Sequence, residues 1–188
     1  MKPLDMRDIA IIDALPVYNC EKLMLNVGCG EGRIDFHLKD MGYRVYATEI
    51  KKYDKWKDGG NLTFHISDIF DISSFPVRSA PVVICSQVLE HVANYRKALS
   101  NLLELTEIRL IITIPYRRSF NSPGHCNYWD DKVSNGYKDV NEFISLCKPY
   151  SISISKIRTK PRDVEMNQYG YLITVDKRQK YNYTRRPS

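Results

Sequence analysis

Hydrophobic and polar positions along the chain fall into short apolar runs that alternate with stretches of helical spacing. Leu23-Met24-Leu25-Asn26-Val27 is a run suited to a buried strand, and it ends at a glycine cluster. From Arg33 to Met41, Ile34 and Leu38 share one side and Gly42 supplies a stop, which predicts a helix. Arg44 to Thr48 reads as a second strand ending at Glu49, whereas the polar, glycine-terminated stretch from Lys51 to Gly60 offers at most a short helix. Leu62 to Ile66 gives a third strand closed by Ser67-Asp68. Pro81 to Cys85 gives a fourth, where the proline is tolerated only at the start. Tyr95 to Leu105 is a helix with Leu99, Leu102, Leu103 and Leu105 on its apolar side, and Arg109 to Ile114 is a fifth strand ended by Pro115. After a long polar loop, Val140 to Cys147 reads as a short helix. Ser151 to Ile157 and Tyr169 to Val175 then alternate as an antiparallel pair around a turn at Pro161 to Gln168. Ahead of the first strand, Asp5 to Leu15 forms one further helix.

Strands separated by helices and closed by a hairpin imply an α/β fold: a doubly wound, seven-stranded, mostly parallel sheet with a terminal antiparallel hairpin. In such sheets ligands bind beyond the carboxyl ends of the strands, where the strand order reverses. The residues with chemical potential lie at those ends. The expected organisation is a single domain over 1–176, with 1–22 as an N-terminal helical segment, followed by a basic, flexible tail over 177–188.

Charge changes this picture only locally. The 188 residues carry 28 Lys plus Arg against 22 Asp plus Glu, a formal charge of +6. Lys177, Arg178, Lys180, Arg185 and Arg186 account for five of those charges, and without them 23 bases face 22 acids. A nucleic-acid partner would therefore engage the tail rather than the body. Five scattered cysteines (Cys20, Cys29, Cys85, Cys126, Cys147) form no C-x-x-C pair, which fits a reducing, cytoplasmic setting better than a disulfide framework. Cys85, inside an apolar run, is expected in the core. No run approaches the ~20 apolar residues that cross a bilayer, and the start Met1-Lys2-Pro3-Leu4-Asp5 lacks the apolar stretch of a signal peptide.

Val27-Gly28-Cys29-Gly30-Glu31-Gly32 follows the first strand and precedes a helix. Glycines there permit a tight turn and close approach of backbone to a ligand. The G-x-G-x-G spacing differs from the G-x-G-x-x-G of a dinucleotide fingerprint, and no residue is placed as in a P-loop. Glu49 lies about 20 residues further on, where a carboxylate accepts hydrogen bonds from both hydroxyls of a ribose. Asp68, with Ile69 beside it, ends the third strand and can accept from an adenine amine. Asp71 competes for that role, and a turn-starting Asp would need no ligand at all.

Together with Ser86-Gln87-Val88-Leu89-Glu90-His91 after the fourth strand, this set resembles a class I S-adenosylmethionine-dependent methyltransferase over residues 20–176. Within that class it is most similar to the group containing the ubiquinone-biosynthesis O-methyltransferases. The resemblance implies S-adenosylmethionine as cofactor. Gly28, Cys29, Gly30 and Gly32 would lie along its methionine part, Glu49 at the ribose and Asp68 and Ile69 at the adenine, with Ser86 and Gln87 on the methyl-transfer side. Such an enzyme aligns an acceptor with an activated methyl group and, for a hydroxyl, removes a proton. His91 suits the role of general base; its alternative is to cap or orient the following helix. Some relatives hold a divalent ion through Glu-x-x-Glu-His plus a later His. Here Gln87 takes the place of the first Glu while Glu90, His91 and His125 remain, so no metal is assigned.

The loop after the fifth strand is dense in bases and aromatics. Tyr116, Arg117, Arg118, His125, Tyr128 and Trp129 are the candidate acceptor-binding residues, the arginines for an anionic group and the rings for stacking; the alternative is a covering loop whose aromatics complete the core. The patterns resembling base-amino, pyrimidine-C5 and cap methyltransferases are missing, which favours O-methylation, ahead of N-methylation, of a small molecule or saccharide. An RNA or protein acceptor held by the basic tail, or a catalytically silent partner subunit, remain as alternatives. No membrane partner is expected.

Overall fold

The computed structural model describes residues 3–16, 22–116, 124–131, 137–158 and 169–177. Five strands run parallel. They are β1 (Leu23–Val27), β2 (Arg44–Glu49), β3 (Leu62–Ile66), β4 (Ala80–Ser86) and β5 (Thr106–Pro115). The hairpin strands β8 (Ser151–Arg158) and β9 (Tyr169–Asp176) follow the short pair β6 (Trp129–Asp130) and β7 (Lys138–Asp139). β9 runs antiparallel to β5, and the seven-stranded sheet has the order β3-β2-β1-β4-β5-β9-β8. The chain leaves β1 toward β2 and β3, then returns to its other side with β4, so strand order reverses between β1 and β4.

Helices cover both faces, which explains why the central strands are apolar throughout instead of alternating with polar residues. On one face Leu25, Val27, Val83, Cys85, Leu110 and Ile112 pack with α3 (Tyr95–Leu105) and α4 (Glu142–Leu146). On the other, Met24, Val82, Ile84 and Ile111 pack with α1 (Met6–Asp13) and α2 (Arg33–Asp40). The period of two along each strand thus survives as a division between two cores. Helix α3 has the bounds its spacing predicts, and it starts where Asn94 accepts from the Lys97 N–H. Asn94 therefore fills the capping role considered for His91.

Three expectations need correction. Residues 51–60 form turns and no helix, closed by the Gly59–Leu62 bridge, since the stretch has no apolar stripe to bury. The polar loop after β5 contains the β6–β7 pair and buries Trp129, Asp130 and Val140. Lys177, assigned to the tail, belongs to the domain: its N–H donates to Ile108 O, and its ammonium donates to Leu103 O at 2.9 Å and Thr106 O at 2.6 Å. Residues 178–188, the turn at 161–168 and Cys20 lie outside the described residues.

Candidate active site

At the reversal point the loop after β1 turns through three left-handed glycines, Gly28, Gly30 and Gly32. A Cβ on Gly28 would meet Val88 Cγ2 at 2.1 Å, and one on Gly32 would meet Phe64 at 2.6 Å, whereas at Gly30 the space is open. Two of the glycines are thus fixed by packing as well as by backbone conformation, and the third faces free volume. The N–H groups of Gly28 and Cys29 donate to Thr48 O at 2.8 and 2.9 Å, tying the loop to the end of β2.

Glu49 stands there half-buried. One oxygen accepts from Gly30 N at 3.2 Å and the other from Ile50 N at 2.8 Å. A carboxylate has about four lone-pair sites, so both oxygens can still accept from a pair of hydroxyls. Two residues past the end of the neighbouring strand, Asp68 accepts from Phe70 N at 2.9 Å. Asp71, its competitor, is taken up by the N–H and hydroxyl of Ser73.

Ile69 needs correction: it is packed in the core, and its carbonyl accepts from Asn101 Nδ2 at 2.8 Å. The apolar surface beside the two carboxylates belongs instead to Ile50, 60% exposed, and Phe70, 43% exposed. Sequence reading missed both, although each follows or nearly follows a flagged acid.

An open cavity of about 240 Å³ adjoins the loop, with Gly28, Cys29, Ser86 and Gln87 in its wall. Arg7, Asp8 and Ile11 of α1 and Arg33 of α2 close its other side. Arg33 fastens α1 there through Asp5 at 2.7 Å and Asp8 at 2.8 Å, an arrangement the sequence pattern did not reveal. Gln87 is the only non-glycine among the described residues with positive φ, at 58°. Such a conformation is held by its surroundings: its N–H donates to Thr113 O at 2.9 Å, and the Ser86 and Thr113 hydroxyls share a bond of 2.7 Å.

Just beyond, Glu90, His91 and His125 converge, with one ligand atom from each all within 4.8 Å of one another. The imidazole rings stand edge to face, 4.5 Å apart. The segment carrying His125 is fastened by Cys126 N and Asn127 N donating to Glu90 O, and by Asn127 Nδ2 donating to Leu89 O and Val92 O. Glu90 is 0% exposed and neither oxygen meets a partner at hydrogen-bonding geometry. Burial pushes its carboxyl up to about 8, while its own N–H and the Arg7 charge pull back only in part. Burial, and then the charge of His91, lowers His125. Two imidazoles and one carboxylate whose oxygens lack partners suit a divalent ion of intermediate softness, so the residues fit the metal considered above.

The acceptor candidates divide. Trp129 is 0% exposed, edge-on to Tyr95 at 5.5 Å and beside Phe143, so it completes the core instead of stacking on an acceptor. Tyr116 is half-buried against Tyr171 with the Lys156 ammonium 3.4 Å over its ring. Tyr128 lies between His125 and Tyr137. Arg117 and Arg118 lie outside the described residues.

Residues 25–107, from β1 into β5, match the family model of a methyltransferase domain. No curated protein matches the chain. Among solved structures, a Listeria monocytogenes protein described as an S-adenosylmethionine-dependent methyltransferase is similar, with TM-score 0.64, 16% identity and coverage of 90% of this chain and 97% of that one. The magnesium protoporphyrin IX methyltransferase of Synechocystis with bound S-adenosylhomocysteine gives 0.60 at 18% identity, over 91% and 80%. A phosphoethanolamine N-methyltransferase of Haemonchus contortus gives 0.62 at 11%, over 92% and 53%. The chain has the class I methyltransferase fold, and its residues 25–107 are similar to a methyltransferase domain.

Proposed function

We propose that the chain methylates a hydroxyl of a small molecule or saccharide, with the donor held along the glycine loop and the acceptor approaching from the side of Glu90, His91 and His125. The observation that carries this reading is the pair of imidazoles on the segments that follow the strained Ser86–Gln87 turn, whose two residues line the same cavity as Gly28 and Cys29 of the loop. The donor supplies an activated sulfonium methyl group. Glu49 receives the ribose hydroxyls, Asp68 receives the adenine amine, and Ile50 and Phe70 offer apolar surface beside them. Gly30, with open space where a side chain would project, lets the loop approach the methionine part. Ser86 and Gln87, fixed through Thr113, border the path of the methyl group. His91, exposed to solvent, takes the hydroxyl proton as the acceptor oxygen attacks.

A second reading is favoured by the unpartnered oxygens of Glu90. A divalent ion would be held by Glu90, His91 and His125, and it would acidify an acceptor hydroxyl. Mn²⁺ should then raise the melting temperature of the wild type and not of Glu90→Gln. No shift in either protein would leave imidazole alone as proton acceptor.

Transfer of labelled methyl from S-adenosylmethionine into fractionated extract of the source cells tests the acceptor class. Label in small molecules or glycans supports the reading. Label in RNA or protein would replace it with a polymer acceptor, for which the four basic residues Arg178, Lys180, Arg185 and Arg186 would be the natural contact.

A further inference from the structure

Beneath the glycine loop lies a buried acid that the proposed chemistry does not use. Asp35, in the first turn of α2, is 0% exposed. Asn26 of β1 donates from Nδ2 to its Oδ1 at 2.8 Å, while Asp35 Oδ2 and Asn26 Oδ1 have no partner. The nearby cations are committed elsewhere: Arg33 to Asp5 and Asp8, Arg7 to Asp5 at 3.0 Å, and Lys55 to Glu31 at 2.7 Å. Among the described residues no lysine or arginine pairs with Asp35. A buried carboxylate without a cation is costly.

The charge lies close to the cavity. Asn26, Asp8 and Cys29 all contribute to its wall. Burial above all, and to a lesser degree the charge of Asp8, pushes the Asp35 carboxyl up against the pull of the Asn26 hydrogen bond, and Asp35, second to burial, pushes the Cys29 thiol up. Asn26 both lines the cavity and bonds Asp35 at 2.8 Å, so the carboxylate stands directly behind the cavity wall.

We propose that Asp35, acting through Asn26, is the counter-charge of the cationic methyl donor and makes the site prefer S-adenosylmethionine over its demethylated product. This rests on the reading of the cavity as the donor site. The two molecules share their nucleoside, carboxylate and ammonium, and differ by a methyl group and one positive charge. When the methyl group moves to the acceptor oxygen, the carbon–sulfur electron pair stays on sulfur and the sulfonium becomes a neutral thioether. The attraction to Asp35 then falls away, which favours exchange of product for fresh donor. Asp35 is a positioning and specificity residue in this scheme, since it touches neither reacting atom.

Calorimetry with S-adenosylmethionine and S-adenosylhomocysteine on wild type and Asp35→Asn tests this, because both proteins keep the hydrogen-bonding shape and only the charge differs. Asp35→Asn should lose about ten-fold in affinity for the donor and less than three-fold for the product, as expected for one charge acting at reduced dielectric. The double variant Asn26→Asp/Asp35→Asn, which returns the carboxylate to β1, should restore the preference. Should Asp35→Asn fail to fold, the pH dependence decides, read in Glu90→Gln so that the Glu90 carboxyl does not titrate in the same range. The preference of that variant for the donor should decline as pH falls through about 7, where Asp35 takes up a proton. Asp8 of α1 is the charged group that acts on Asp35, and Glu90 on the methyl-transfer side, pushed up to about 8 by burial, also takes up a proton as pH falls. Equal losses for both ligands, or an unchanged ratio at every pH, overturn the inference and leave the donor site intact. Absence of binding by the wild type would remove the donor site itself, and the inference with it.

Discussion

Gly28 illustrates how tightly single residues are specified at this site. Its φ of 79° is open to glycine, and a Cβ there would sit 2.1 Å from Val88. Gly28→Ala therefore has to displace both the loop and the Ser86–Gln87 turn that Val88 follows. A cost of about 1–3 kcal/mol is expected, together with loss of donor binding, measured by denaturant unfolding and calorimetry. His91 gives the contrasting case of a residue that the fold does not need. It is exposed, and Asn94 caps the helix that follows. His91→Ala should lower kcat by about 10²–10⁴ while donor affinity and melting temperature stay at wild-type values. A parallel fall in stability would assign His91 a structural role instead.

The left-handed glycine turn after β1 and the positions of Glu49, Asp68 and His91 at or shortly after the strands were legible in the sequence, and their roles are the proposal's. Glu90 drew notice only as part of a motif, since nothing in a sequence says that a carboxylate will be sealed without a partner. Asp35 was invisible for a similar reason: an acid in the first turn of a helix is ordinary, and only burial makes it exceptional.

Elements were read well wherever periodicity had a full face to act on. Helix α3 buries Tyr95, Ala98, Leu99, Leu102 and Leu105 along one stripe and has the predicted bounds. Truncating its centre should be expensive, and Leu99→Ala is expected to cost about 2–5 kcal/mol, read as a shift of the denaturation midpoint at constant slope. A cost under 1 kcal/mol would mean that the stripe is not the main contact of this helix.

Reading failed where an element gains its reason from elsewhere. Trp129 looked available for a ligand because its neighbours in sequence are polar. Its position is set by Tyr95 and Phe143, which lie 34 residues before and 14 after it. Helix α1 was predicted, yet its placement against the cavity depends on Asp5 and Asp8 meeting Arg33, a pairing that hydrophobic spacing cannot encode.

At the scale of the molecule, the sheet order reverses between β1 and β4, and the loops at that point come from strands whose side chains are fixed in two separate cores. The scaffold can therefore carry strain at Gln87 and a buried acid at Asp35. That acid leaves a mark on global stability. Burial, opposed by the Asn26 hydrogen bond and its own N–H, holds the Asp35 carboxyl up at about 7, against an ordinary 3.8. The folded state then binds this proton more tightly than the unfolded state does. The contribution is most favourable below the unfolded value and is lost as pH rises from about 4 to about 7. Asp35→Asn should remove that component, so the stability difference between variant and wild type grows in the variant's favour across the window, measured by urea unfolding at pH 5 and pH 8. A difference independent of pH would mean that Asp35 ionises normally in the folded protein.

The central claim is that the glycine loop and Glu49 form the donor site. Titration calorimetry of the folded chain with S-adenosylhomocysteine tests it most directly. Saturable binding at one site per chain is predicted, weakened at least about ten-fold by Glu49→Ala through loss of two hydroxyl hydrogen bonds. Absence of heat from the intact wild type, or equal affinity in Glu49→Ala, would contradict it.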